Sequence, residues 1–165
     1  MSNVIWKKPS ECTESELTMF EALINKGGEV VAHGLHDRIM RAEWLIFLFE
    51  SDKTLAGVAA LKKPNANYKK GVFRKANSPE DPSKFNSEAG WIFVEPQFRG
   101  RKHSRTLLQT VLELADKSHV YATTREDNEA MRHTNIRCGL QESGQPYKSE
   151  EGDYKLVLYI KGSSQ

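Results

Sequence analysis

The sequence predicts a mixed α/β (α+β) domain, a sheet covered by helices, and three observations carry that prediction. Short aliphatic and aromatic runs alternate with stretches of helical apolar spacing. Residues 45–50 and 54–61 are joined by Ser51-Asp52-Lys53, which reads as a hairpin in the first part of the chain. A second pair of strands, 140–147 and 154–160, closes it. Interleaved strands and helices with hairpins at both ends make a mixed sheet with a helical cover. At 165 residues the chain fits one domain with a substantial core, taken as 1–161, with 162–165 a frayed tail.

Each element has a local reason. Val4 to Lys7 forms a short first strand. Thr13 with Glu16 has the form of a capping box, in which each side chain satisfies a free backbone N–H at a helix start. Leu17, Phe20, Leu23 and Ile24 then share one helical face, and Gly27-Gly28 ends the run. Val31, Leu35 and Ile39 suggest a second helix, where His33 and His36 read as surface residues with substrate contact as the alternative. The stretch from Lys62 to Ser87 holds three of the six prolines, with only Tyr68, Val72 and Phe73 as an apolar island. It reads as a long, mobile connection beside the acceptor entrance, with a short hairpin around Gly71. Its Lys69, Lys70, Arg74 and Lys75 read as a solvated face, acidic-substrate recognition being the lesser alternative. Ala89 to Val94 is a strand that Pro96 terminates, since proline cannot continue the ladder. From Ser104, residues Leu107, Leu108, Val111, Leu112, Leu114 and Ala115 line one side of a helix. His119 to Thr124 is a strand, and Asp127 or Asn128 caps a helix that runs to Cys138 and ends at Gly139.

Composition excludes several classes of function. The net charge of +2 is too mild for a general polyanion binder. Cys12 and Cys138 have neither metal-site nor disulfide spacing, so a reducing compartment is the default and Cys138 reads as a small buried helix residue. No hydrophobic leader precedes the first charges, and the longest apolar run, WLIFLF at 44–49, is too short to span a bilayer. A soluble cytoplasmic protein without membrane contact is expected.

Charge matters locally, in EPQFRGRKHSRTLL at 95–108. A strand, a short basic loop and a helix start form a phosphate-binding geometry, because the first helical N–H groups lack intrahelical partners and the helix dipole favours an anion there. Arg99, Arg101 and Lys102 add charge around that cradle, and Ser104 offers a hydroxyl. The arrangement suits the pyrophosphate of a nucleotide-derived cofactor.

FVEPQFRGRKHSRTLL resembles the acetyl-CoA-binding motif of the GNAT (GCN5-related) N-acetyltransferases, V-x-P-x-x-R-G-x-G-x-G/A before an apolar helix. Val94, Pro96, Arg99 and Gly100 match, while Lys102 stands at a family glycine and Ser104 at a glycine or alanine. The family's second motif, N-x-x-A-x-x-x-Y-x-x-x-G-F, resembles NEAMRHTNIRCGL at 128–140. There Asn128 and Gly139 match, Leu140 is a mild change, Met131 replaces the alanine and Asn135 the tyrosine.

The resemblance implies a GNAT-like fold, a mainly antiparallel sheet flanked by helices, and a single acyltransferase-like domain. It implies acetyl-CoA as acyl donor, held by Ile92, Phe93 and Val94 of the strand and by Arg99, Gly100, Arg101, Lys102, His103 and Ser104 of the loop and helix start. Asn128 of the second motif completes that set, although it is equally a helix cap, and His103 taken alone reads as solvated, with no metal-ligand partner. Lys102 is expected to hold helical dihedrals with its side chain turned outward. The family's tyrosine protonates the departing thiolate; with Asn135 in its place, Tyr121 or Tyr147 serves or no acid is used, since a thiol with a pKa of about 8.5 leaves tolerably as thiolate.

An acceptor amine, with a pKa of about 10.4, must lose a proton before it attacks a thioester. The histone-modifying branch of the family places a glutamate six residues before the motif valine, and Glu88 stands there relative to Val94. Its bland reading is a polar residue at a strand edge. The expected reaction is acetyl transfer to a primary amine of a small molecule or peptide, and a homodimer is compatible. Two rival readings are an acyl-CoA-binding module that has lost transfer and a nucleic-acid module using RGRKHSR. Against the second, Phe98 is the one aromatic in the cluster and no recognition-helix pattern accompanies it.

Overall fold

The computed structural model describes residues 2–28 and 30–162, so the expected tail at 162–165 lies, Gly162 apart, outside the described residues. In chain order the elements are β1 (Asn3–Lys7), α1 (Glu14–Gly27), α2 (Leu35–Met40), β2 (Trp44–Phe49), β3 (Leu55–Lys62), α3 (Ala66–Lys75), β4 (Ser87–Val94), α4 (His103–Ala115), β5 (Val120–Arg125), α5 (Glu129–Arg137), β6 (Gln141–Glu142), β7 (Tyr147–Lys148) and β8 (Lys155–Lys161). They form two compact units, Met1–Lys63 with Ala89–Leu114, and Pro64–Glu88 with Ala115–Gln165.

In the first unit β1, β2 and β3 are antiparallel, with Ile5 opposite Phe47 and Phe47 opposite Val58. The Glu95 N–H donates to the Ala56 carbonyl, which ties the end of β4 to β3. The run Leu45 to Leu48 is buried on both faces, which explains its unbroken apolarity. Phe20 and Ile24 of α1 pack with Leu35 and Ile39 of α2 against Leu45 and Phe47, and the Phe20 and Phe47 rings meet edge-on at 5.6 Å. The Thr13–Glu16 capping box forms in both directions. Val31, expected in the second helix, is exposed; the helix starts only after Gly34, which holds a left-handed conformation. His33 is therefore exposed before the helix, while His36 is exposed on it.

The second unit corrects the reading of 62–87 as a long connection. Asn65 caps α3 by accepting from the N–H groups of Asn67 and Tyr68, and Val72 and Phe73 are buried with Ala76 and Phe85. The apolar island is one helical face, and no hairpin forms at Gly71, which lies inside α3. The solvated-face reading is corrected in part: Lys69 donates to the Phe85 carbonyl and Lys75 pairs with Glu150 at 2.6 Å, while Lys70 and Arg74 are exposed.

β5 and β8 are antiparallel, with Tyr121 opposite Ile160, and the one parallel pairing described joins Ser87 to Val120 and Glu88 to Tyr121. The sheet is thus mixed and mostly antiparallel, flanked by helices. The strand expected at 140–147 is instead two short segments, β6 and β7, each paired with β8. Gly144, with φ 73°, and Pro146, which lacks an N–H, break the run between them. A Cβ at Gly144 would collide with the Ala76 carbonyl oxygen, which also accepts from the Gln145 N–H at 2.7 Å. That contact and the Ser78–Ser143 hydroxyl pair at 2.7 Å fasten this turn to the end of α3.

Candidate functional site

In the first unit the basic loop is shaped by its own backbone contacts. After Val94 a short 3₁₀ turn at Pro96–Phe98 reverses the chain, and the Arg99 Nε donates back to the Val94 carbonyl at 3.0 Å. Its guanidinium also lies 5.5 Å over the Phe93 ring. Arg99 therefore clamps the strand end. Gly100 has φ 83° with open space where a Cβ would stand, so glycine is needed there for conformation and not for room. Lys102 has φ 64°, correcting the expectation of helical dihedrals: a side-chain-bearing residue stands in a left-handed conformation that glycine adopts freely.

α4 begins at His103, with Ser104 half-buried in its first turn. His103 is not solvated. It is 7% exposed, and its Nε2 donates to Glu50 Oε1 at 2.6 Å. Arg101 Nη1 reaches the same oxygen at 3.2 Å, while its side chain stays 54% exposed. The His103 hydrogen bond, with the Arg101 charge behind it, holds the Glu50 carboxyl below the usual carboxylate range. The loop can thus present backbone N–H groups, an exposed Lys102, a half-open Arg101 and the Ser104 hydroxyl to an anion. Ile92 and Phe93 are half-buried and Val94 is buried. Trp91 just before them has φ 52°, a local irregularity within β4.

In the second unit Glu88 is 4% exposed. The fully buried Tyr121, its parallel partner, donates to Glu88 Oε1 at 3.4 Å. Two further phenols feel its charge. The Tyr68 hydroxyl is hydrogen-bonded to Thr123, and its pKa is pushed up first by Glu88 and then by burial. Tyr121 and Tyr147 are pushed up first by burial and then by Glu88. All three keep their protons at physiological pH, which suits donation of hydrogen bonds better than release of a proton to a thiolate. Tyr147 is 8% exposed, and its hydroxyl has no hydrogen-bond partner among the described residues.

Asn128 is the helix cap, its Oδ1 accepting from the Met131 N–H at 3.1 Å. Asn135, at the family's tyrosine position, is fully buried and donates to Thr124 Oγ1 at 2.9 Å. Its amide has no acidic proton to give. Cys138 is half-buried at the end of α5, not buried within it. No group of three His, Cys, Asp or Glu side chains suited to a metal occurs among the described residues, and no described helix is long and apolar enough to cross a membrane. Glu50, Tyr68 and Thr123 escape sequence reasoning; only the Asn65 cap followed by Tyr68 and Val72 at helical spacing points to one of them.

A family model described as Acetyltransferase (GNAT) family matches residues 11–139. No curated protein sequence matches the chain. Among solved structures it is similar to an acyl-CoA N-acyltransferase from Pseudomonas aeruginosa, with TM-score 0.71 and 14% identity over 98% of this chain and 100% of that one. It is also similar to a GNAT-family acetyltransferase from Streptococcus agalactiae, with TM-score 0.68 and 20% identity over 98% and 96%. Arabidopsis thaliana NAA60, solved with a bisubstrate analogue, gives 0.66 and 10% over 96% and 97%. At these identities the structures speak for the fold, and the family model, which spans most of the chain, places it: the protein belongs to the GNAT acetyltransferase family.

Proposed function

We propose that the protein is an acetyl-CoA-dependent N-acetyltransferase acting on a primary amine of a small molecule or peptide, with Glu88 as the base. The observation that carries this reading is the buried Glu88 carboxylate, which accepts from the Tyr121 hydroxyl, on the strand that leads into the basic loop. A carboxylate so placed can take the proton that an ammonium must lose before it becomes a nucleophile.

The loop fits the donor's pyrophosphate. Its left-handed Gly100 and Lys102 turn the chain into α4, so that exposed Arg101 and Lys102 and half-buried Ser104 flank the helix start. Arg101, Lys102 and Ser104 would hold the phosphates, with the His103 side chain committed to Glu50, Arg99 and Gly100 shaping the turn, and Ile92, Phe93 and Val94 lining the donor along the strand. When bound, acetyl-CoA supplies a thioester whose acetyl carbon the amine attacks while the thiolate leaves. The fixed N–H groups orient it, and Glu88 accepts the amine proton. The protein works in a reducing, cytoplasmic setting, consistent with two free cysteines.

The nucleic-acid alternative is weakened because the Arg99 and His103 side chains are committed to Val94 and Glu50, which leaves too few open cations for an extended phosphate-contacting patch. The test is incubation with acetyl-CoA and a panel of small amines and free-amino peptides, scored by thiol release and by a mass gain of one acetyl group. Both signals with at least one amine are expected. Acetyl-CoA binding without thiol release on any amine would instead identify a binding module, and stabilisation by nucleic acid alone would overturn the reading.

A further inference from the structure

Buried hydroxyls are almost always hydrogen-bonded, and one left unmatched lowers stability. Tyr147 breaks that rule. Its ring packs in the core with Phe73, Phe85, Tyr121 and Leu158, yet its hydroxyl has no partner among the described residues. A phenylalanine would fill the same space without that cost. Tyr121 of the same core donates to Glu88 Oε1 at 3.4 Å, which sets the buried Glu88 carboxylate beside the cluster that holds Tyr147. Tyr68, 50% exposed as a residue, turns its hydroxyl onto Thr123, which lies two positions from Tyr121 on the same face of β5.

We propose that the Tyr147 hydroxyl, together with the Glu88 carboxylate and the Tyr68 hydroxyl, forms a binding site for a primary ammonium group, that of the acceptor. An ammonium has three N–H donors and no acceptor, and the cluster offers three oxygens able to accept. Tyr121 and Thr123 serve this set from β5, the first by donating to Glu88 and the second by holding the Tyr68 hydroxyl. The site favours a slender primary amine over a quaternary one, because a quaternary cation has no N–H to give the Tyr147 hydroxyl. The inference deepens the acetyl-transfer reading and rests on it only for naming the ammonium as the acceptor's. The Tyr147 hydroxyl is then retained at the expense of stability, as is common where a site must leave groups unsatisfied until its ligand arrives.

The test uses the full chain and calorimetric titration with n-butylammonium chloride, against tetramethylammonium chloride as a cation without N–H donors. The parent protein should bind n-butylammonium at least about tenfold more tightly, the scale of one hydrogen bond to a charged group. Tyr147→Phe should lose most of that preference while melting at or above the parent's temperature, and Tyr68→Phe should lose part of it. Equal binding of the two cations by the parent would overturn the proposal. So would an unchanged preference in Tyr147→Phe, or a lowered melting temperature in that variant, which would reveal a structural partner for the hydroxyl. Acetyl-CoA affinity measured on the same samples separates the two readings. Its absence in the parent counts against acetyl transfer alone, whereas loss of the ammonium preference counts against this site alone.

Discussion

Glu50 Oε1 receives both the His103 Nε2 hydrogen bond, at 2.6 Å, and the Arg101 guanidinium, at 3.2 Å. One carboxylate at the end of β2 thereby joins the β2–β3 hairpin to the start of α4. Its pKa in the folded protein lies below that in the unfolded chain, so its contribution to stability is present above about pH 4.3 and is lost as pH falls through the folded value. Glu50→Gln should lower the melting temperature at neutral pH, and the gap to the parent should close in acid. Melts recorded from pH 7 down to about pH 3 check this, and a gap independent of pH would contradict it.

Lys102 occupies a left-handed conformation that costs a residue with a side chain roughly 1–2 kcal/mol. Glycine removes that cost but loses about 0.5–1 kcal/mol through the greater freedom of its unfolded chain. Lys102→Gly should therefore raise stability by up to about 1.5 kcal/mol, read as a higher urea midpoint at constant slope. A lower midpoint would show that the lysine side chain stabilises the loop by more than its backbone costs.

Gly100 makes the complementary case. Nothing would touch a Cβ there, but its φ of 83° is hostile to a β-branched side chain. Gly100→Val should leave the protein folded, reshape the turn and abolish the melting shift that acetyl-CoA is expected to produce. A variant with an intact shift would remove the loop from donor binding.

Glu88→Gln preserves side-chain size and should leave acetyl-CoA affinity unchanged. Turnover should fall by a factor on the order of 10²–10⁴, the usual contribution of a positioned base. The deficit should shrink as pH rises toward the amine's own pKa of about 10.4, where free amine forms without help. An equal deficit at every pH would assign Glu88 to positioning, and an unchanged rate at neutral pH would leave it a strand residue.

What the sequence displayed, and what it concealed, follows from the range of the interactions involved. The Thr13–Glu16 box and the Asn128 cap are contacts within three residues, and both stand as read. α3 was hidden because its buried side chains cluster at Val72 and Phe73 among lysines and between prolines, so its apolar face is too narrow to register. Glu50 meets His103 across 53 positions, a separation no local pattern reports. The parallel register that sets Glu88 beside Tyr121 is likewise non-local. The Lys102 backbone shows the converse: the departure from the family's glycine was visible, but its conformational meaning was not.

The fastening of α3 at its far end bears on which part of the second unit moves first. With the Ala76 carbonyl held by Gln145, a swing of the whole helix would have to break the Ser78–Ser143 pair and that backbone bond together. Tyr68, on the first turn and half exposed, has only its bond to Thr123 to break before it rotates about its own side-chain bonds. Such rotations take picoseconds to nanoseconds, against microseconds or longer for displacement of a segment. Motion at this end of the second unit therefore falls first to a single ring and not to the helix that carries it.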